Sequence, residues 1–468
     1  MSFWLPNIQD SSSPRYAALA DAIEDAINQK RLHPGQQLPT HRELAHKLGI
    51  SVQTVARAYA EAERRGLTAG EVGRGTFVQY LTPDVGQGYV AETKQSGVID
   101  FSNISPLRDD LHVQALKSAF GNMATGSPLQ RALEYRPSQG LIPHRQAAAT
   151  WLQRHGISVD ADNIVITNGV AHGIWTAMAS VLEPGDVVGT EALTQTTNLI
   201  NASVMKLRHR GIEIDDQGIV PDALEEAHRR QPIKVLSLTP CYNNPTGSLM
   251  GESRRREIAE IARRNDIIII ENDVFGPLIP NRPKPLCTFA PERTYYVTSF
   301  SKAVMPSLRT GFLCGPPGTA SRLISRLRAT GYMANTWPAE ILAGWMFDGT
   351  VDKLIEWQRQ QLSERSKLLK KTFSAHRLVS HPYALHAWLT LPEQWRSQTF
   401  FEQAKTRRLL VTPPDPFIVG RGEDPHAIRL AVGDTVRDKH DFLAGVKRIA
   451  ALLEESPEPP PQVFQEHA

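Results

Sequence analysis

Residues 298–311 read TSFSKAVMPSLRTG: a lysine just past a strand-like run, flanked by serines and followed seven residues on by an arginine. An amine at Lys302 can condense with an aldehyde. The hydroxyls of Ser299 and Ser301 and the guanidinium of Arg309 can anchor a dianionic phosphate. Pyridoxal 5′-phosphate is the cofactor that needs both. In isolation the SFSK segment carries little weight, because most lysines after a strand are solvated.

Further segments supply partners in a consistent order. TNGVAHGIW at 167–175 is a glycine-containing turn between a strand and a helix, so its amides and the helix N-terminus make an anion site. TPCYNNPTG at 239–247 is a strand-end loop able to place an amide beside a ring oxygen. IIIIENDVFG at 267–276 sets acidic residues at the C-terminal edge of a strand, where open α/β sheets bind ligands. YRPSQGLIPHR at 135–145 and IRLAVG at 428–433 complete the set. Each has a plainer reading, the first as a simple turn and the second as an edge strand with a solvated arginine.

The elements that must position these residues follow from the pattern. NIVIT (163–167), DVVGT (186–190), KVLSLT (234–239), DIIIIEN (266–272) and TYYVTSF (294–300) are short β-branched runs alternating with helical periodicity. That predicts βαβ units and a mostly parallel sheet flanked by helices. At 468 residues the chain is too long for one ordinary domain, and with 41% hydrophobic and 22% charged residues it can fill a large core. A net charge of +3 excludes a polyelectrolyte-like basic protein. Three cysteines without CxxC or Cys/His spacing argue against a disulfide framework or a structural zinc site, so no metal is expected. The N-terminus does not read as a signal peptide and no stretch reaches the roughly 20 apolar residues of a membrane span, which points to the cytoplasm. The expected organisation is a small helical domain over 12–80, a Pro- and Gly-containing linker over 81–98, a large domain over 99–453, and a Pro/Glu-rich tail over 454–468.

In the small domain, Tyr16, Leu19, Ile23 and Ile27 mark an amphipathic helix stopped by HPG at 33–35. Thr40 with Glu43 forms a capping box that opens a second helix, closed at Gly49. Ser51 caps a third helix ended by Gly66. Val52, Val55, Ala58, Tyr59 and Ala62 are expected on its inner face, with Gln53, Thr54 and Arg57 outward. This is a helix-turn-helix, followed by a two-stranded wing with Arg74 near its tip. Residues 1–80 carry nine basic and eight acidic residues, a net of only plus one, so charge alone does not separate DNA binding from a helical interaction module.

The order RLHPGQQLPTHRELAHKLGISVQTVARAYAEAERRGLTAGEVGRGTFV resembles the GntR-type winged helix from end to end. The resemblance implies DNA contacts from Arg42, Ser51, Gln53, Thr54, Arg57 and Arg74, with Val52 standing where a basic residue often begins the recognition helix. Residues from about 100 to 453 resemble the class I/II aminotransferases, pyridoxal-phosphate enzymes of fold type I. These carry a large, mostly parallel α/β domain and a smaller C-terminal α+β part. The whole chain is similar to MocR-type transcription regulators. By that resemblance Lys302 would carry the cofactor, and Ser299, Ser301, Arg309 and the Gly169–Val170–Ala171 turn would hold its phosphate. Asn244 would meet the ring O3′, Arg429 would pair with the carboxylate of an amino-acid ligand, and Tyr135 would reach the phosphate of the other subunit of a homodimer.

Three positions depart from the family. Gln195 replaces the aromatic that stacks on the pyridine ring. The family's DxxY pair becomes Asn272 and Phe275, with Asp273 able to replace the aspartate only if the strand end shifts by one residue. An aspartate keeps the pyridine nitrogen protonated and the ring an electron sink; an asparagine cannot. The expectation is therefore a DNA-binding transcription regulator that senses an amino acid or amine in a weakened aminotransferase-like pocket. A working aminotransferase with an accessory DNA-binding domain is the alternative, and a cofactor-binding scaffold without amino-acid ligand is a third reading. Residues 15–78 favour the first over the second, and the retained Arg429 argues against the third.

Overall fold

The computed structural model describes residues 4–6, 14–29, 31–32, 36–64, 67–71, 75–78, 97–125, 137–420, 424–433 and 439–457. It divides into two compact units, one within Met1–Gly86 and one within Gln87–Val419 and Asp424–Ala468. The HPG turn, Gly66, Arg74, residues 81–96 of the linker and Tyr135 lie outside the described residues.

The first unit contains helices α1 (Arg15–Asn28), α2 (His41–Leu48) and α3 (Val52–Arg64), then strands β1 (Thr68–Glu71) and β2 (Gly75–Val78) paired antiparallel. Leu19, Ile23 and Ile27 are buried, as their spacing predicts, against Leu44, Val55, Ala58, Tyr59 and Ala62. The capping box is present: the Glu43 amide donates to Thr40 Oγ1 at 3.3 Å, and the Thr40 amide to the Glu43 carboxylate at 3.0 Å. Ser51 caps α3 by accepting the Thr54 amide at 3.0 Å. Val52 corrects the sequence reading, since it is 47% exposed rather than part of the inner face. It is the first residue of α3, and a helical Cβ tilts toward the N-terminus, so its side chain projects beyond the packed turns.

The second unit contains β3 (Ile99–Asp100), α4 (Asp110–Ala124), α5 (Ile142–Arg154), β4 (Ile164–Thr167), α6 (Val170–Val181), β5 (Val187–Glu191), α7 (Thr196–Val204) and β6 (Arg208–Ile212). A short hairpin follows, β7 (Ile214–Asp215) and β8 (Gly218–Ile219), then α8 (Pro221–Arg230), β9 (Val235–Leu238), α9 (Glu252–Arg264), β10 (Ile268–Asn272), β11 (Thr294–Ser299) and β12 (Gly311–Cys314). The central sheet has the order β4-β12-β11-β10-β9-β5-β6 and is parallel except for β12, antiparallel to both its neighbours. Each β-branched run of the sequence forms one of its strands. Alternation divides the core: Ile270, Val235 and Val297 face one side with Ile174 of α6, while Ile269, Leu236 and Leu238 face the other with Ile258 and Ile261 of α9. Each such side chain stabilises the fold by about 1.5–3 kcal/mol, which fixes the register in which the strand ends present their loops.

The chain continues through α10 (Ala320–Gly331), α11 (Thr336–Asp348) and α12 (Thr350–Thr372) into the smaller C-terminal part. There β13 (Leu378–Val379), β14 (His386–Thr390) and β16 (Ala427–Ala431) form an antiparallel sheet, with α13 (Ser397–Thr406) and α14 (Lys439–Leu453). β15 (Leu409–Leu410) pairs in parallel with β3, which ties the start of this unit to its C-terminal part.

Candidate functional site

Lys302 lies in the turn after β11, half-buried, and its Nζ donates to the Ile104 carbonyl at 2.6 Å. Burial, then Arg429 and Arg309, hold its amine down to about 8, so an appreciable fraction is neutral and nucleophilic near neutral pH. Ser299 and Ser301 are buried beside it, and Ser301 Oγ has no partner among the described residues.

Gly169 is the N-cap of α6, at φ 81, which an L side chain rarely adopts. A Cβ there would fall 2.8 Å from Arg309 Nη2, so glycine leaves the room in which the guanidinium rests against the turn. Arg309 Nη2 also donates to the Asn168 carbonyl at 3.1 Å. The structure thus sets Arg309 against the Gly169 turn at the N-terminus of α6, two donor types suited to a phosphate. The buried Ser301 hydroxyl, unpartnered among the described residues, fits such a group as a further donor.

At the C-terminal end of β10, Asn272 pairs in register with Val297, which packs on Gly173 of α6, so Asn272 faces the α6 side. Its Oδ1 accepts the Val274 amide at 3.2 Å and its Nδ2 donates to Thr239 Oγ1 at 3.3 Å. Asp273 faces the opposite side, where the Tyr296 hydroxyl donates to it at 2.5 Å and Arg282 forms an ion pair with it. Glu271 shares that opposite side and pairs with Arg255 at 3.4 Å. The acidic residues that the sequence places at this strand edge are therefore turned away from Asn272. Phe275 is buried against the His386 ring, with centroids 5.6 Å apart. Gln195 is the N-cap of α7, with its Nε2 buried and unpartnered among the described residues.

Arg429, on β16, is buried, and no carboxylate forms an ion pair with it among the described residues. Its Nη1 donates to Asn244 Oδ1 at 2.8 Å, and its Nη2 to the Ser102 carbonyl and to Thr412 Oγ1, the latter at 3.1 Å. Nε has no partner among the described residues, and Phe417 stacks at 4.9 Å. Burial drives this guanidinium down to about 9, against the pull of Asp100. A buried cation held only by neutral acceptors is matched to an incoming anion.

On the first unit, Arg42, Ser51, Gln53 and Arg57 are exposed and Thr54 is half-buried, with its hydroxyl 2.8 Å from that of Ser51. Arg57 stacks over the Tyr16 ring at 4.3 Å, which braces an otherwise flexible side chain. Ser102, Ile104, Thr412, Tyr296 and Arg282 had no place in the sequence reading. Two of them act through backbone carbonyls, which leave no mark in a sequence; the orientation of Asp273 was available from the two-residue period of the strand.

Residues 99–440 match the family model for aminotransferase class I and II, and residues 15–78 match that for bacterial regulatory proteins of the gntR family. The chain is 29% identical over 430 residues to the HTH-type transcriptional regulator YdeF of Bacillus subtilis, covering 92% of each chain. It is 26% identical to the HTH-type pyridoxine biosynthesis transcriptional regulator PdxR of Corynebacterium glutamicum, over 76% of this chain and 78% of that one. Among solved structures, the kynurenine aminotransferase of Pyrococcus horikoshii superposes with a TM-score of 0.71 at 24% identity, covering 77% of this chain and 91% of that one. With its larger unit matched over most of the chain and a gntR-type helix-turn-helix fused ahead of it, the protein belongs to the class I and II aminotransferase family.

Proposed function

We propose that this chain is a DNA-binding transcription regulator whose aminotransferase-like unit binds pyridoxal 5′-phosphate and senses an amino acid or related amine, with little or no turnover. The observation that carries the reading is the divided site. Lys302 and Arg429 are kept, while Asn272 faces the α6 side and Asp273 is bound on the other by Tyr296 and Arg282. Lys302 would hold the cofactor; Ser299, Ser301, Arg309 and the Gly169 turn its phosphate; Asn272 and Gln195 its ring; Asn244 its O3′ oxygen. When bound, the cofactor supplies an aldehyde for an amine and a ring that draws electrons from Cα. Asn272 offers that ring a neutral amide, so a proton leaving Cα gains little from this side chain. Lys302, neutral in part near pH 8, can still take and return a proton.

Arg42, Gln53 and Arg57 on the exposed side of the helix-turn-helix support contact with a DNA operator. The exposed Phe120 of α4, Ile142 of α5 and Trp337 and Phe347 of α11 support a homodimer, with Phe347 94% exposed. No helix among the described residues is long and apolar enough to cross a membrane, and DNA binding favours the cytoplasm.

The test is a duplex enriched from a random library by the full-length protein. Its footprint should change when the cofactor and one of the common L-amino acids are added together, and not with the Arg429→Gln variant. A footprint insensitive to every amino acid would remove the sensing function.

A further inference from the structure

Two cations of the site, Lys302 and Arg429, are held by one short segment. Residues 101–107 leave β3 and run past Arg429 and Lys302, with Phe101, Ser102, Ile104 and Leu107 buried. Phe101 is anchored through its amide to the Leu410 carbonyl at 2.7 Å and through its carbonyl from the Ala431 amide at 2.8 Å. The Asp100 carboxylate accepts both the amide and the hydroxyl of Ser102, at 2.7 and 2.6 Å, which turns the Ser102 carbonyl toward Arg429. That carbonyl also accepts Thr412 Oγ1 at 3.2 Å, and two residues on the Ile104 carbonyl takes Lys302 Nζ. The strap lies flat on Gly433, where a Cβ would meet the Ser105 carbonyl at 1.6 Å.

We propose that this strap is a built-in occupant of the effector site, displaced by an amino-acid carboxylate, and that its release is the signal passed toward the DNA-binding unit. The inference rests on the sensing function proposed above. A peptide carbonyl gives Arg429 a neutral acceptor, whereas a carboxylate gives a charged one that can accept two parallel N–H bonds, so the ligand takes the guanidinium from Ser102. Lys302 loses hold at the same end: its ammonium gives up one proton to solvent, the neutral amine condenses with an aldehyde, a C=N bond forms and water leaves with the other two N–H hydrogens, so the donors to Ile104 are lost. A ligand that binds only the strap-released arrangement shifts the chain toward it by its differential affinity. The strap is well placed to relay this. Phe101 follows Val78, the last residue of β2, by only 23 positions, so the strap, directly after β3, lies near the start of the large unit as the chain enters it from the DNA-binding unit.

Hydrogen–deuterium exchange on the full-length protein tests this. In the protein without additions, Arg429→Gln and Lys302→Gln should each raise exchange of the amides at 102–105 by about tenfold, the loss of one charge-assisted bond. Arg429→Lys, which keeps a donor for Ser102, should stay near wild type. Both glutamine variants should also bind the enriched duplex as the wild type does when a responding amino acid and pyridoxal 5′-phosphate are present. Unchanged exchange at 102–105 in correctly folded glutamine variants would overturn the proposal, as would freed strap amides with duplex binding left as in the unliganded wild type. If no amino acid alters the footprint yet both variants free the strap and alter it, the sensing function fails and the strap stands as a relay.

Discussion

Replacing Arg429 by methionine should leave the ligand-free protein as stable as wild type or more so, while abolishing any response to an amino-acid carboxylate. A guanidinium pushed well below its ordinary value, to about 9, has its charged form disfavoured by up to about 5 kcal/mol, at about 1.36 kcal/mol per pH unit. Methionine removes that cost and refills most of the volume. Against this, Asn244 Oδ1 loses a donor, while the Ser102 carbonyl keeps the Thr412 hydroxyl. Unsatisfied buried acceptors cost about 1–3 kcal/mol each, so the terms nearly cancel, with a balance between roughly zero and a few kcal/mol in favour of methionine. Urea unfolding followed by fluorescence, with the cofactor absent, reads the difference. A loss of about 3–5 kcal/mol, typical of breaking a satisfied buried ion pair, would refute the claim that Arg429 waits for an anion.

Three further outcomes follow from the geometry. Gly169→Ala should weaken cofactor binding by tenfold or more, through strain at positive φ and displacement of Arg309, measured by equilibrium dialysis; unchanged affinity would remove the turn from the phosphate site. Because only the neutral Lys302 amine is nucleophilic, formation of the visible cofactor band should speed up with pH and level off above about 8. A lysine of ordinary basicity would go on accelerating past about 10, and such a profile would contradict the burial argument. Arg57→Ala should cost about 1–3 kcal/mol in affinity for the enriched duplex, and Tyr16→Ala less, about 0.5–1 kcal/mol, since it removes only the stacking; a larger loss with Tyr16→Ala would reverse their assigned roles.

The fold was legible in the sequence because fully buried parallel strands are continuous β-branched runs, and each of the five picked out lies in the central sheet. The helix-turn-helix was legible because Thr40, Glu43 and Ser51 cap helices with side chains that have few other uses at those spacings. Val52 was misplaced because periodicity assigns a face and says nothing of where a helix end outruns its neighbours. Lys302, Gly169 and Arg429 were singled out by their motifs and the family resemblance, but what restrains them was not legible. Ser102 and Ile104 contribute carbonyls that any residue could supply, and Arg282 reaches Asp273 from a loop nine residues on.

The most direct measurement of the central claim follows the holoprotein's visible absorption while each common L-amino acid is added, with 2-oxo acid assayed in the same samples. A regulator with a weakened site gives a band shift with one amino acid or a narrow group, lost in Arg429→Met, and no 2-oxo acid beyond one equivalent of protein. Asn272→Asp should then raise 2-oxo acid formation, since it restores a carboxylate on the face toward α6. Rapid multiple-turnover formation of 2-oxo acid by the wild type would contradict the account and make the chain a working aminotransferase that carries a DNA-binding unit.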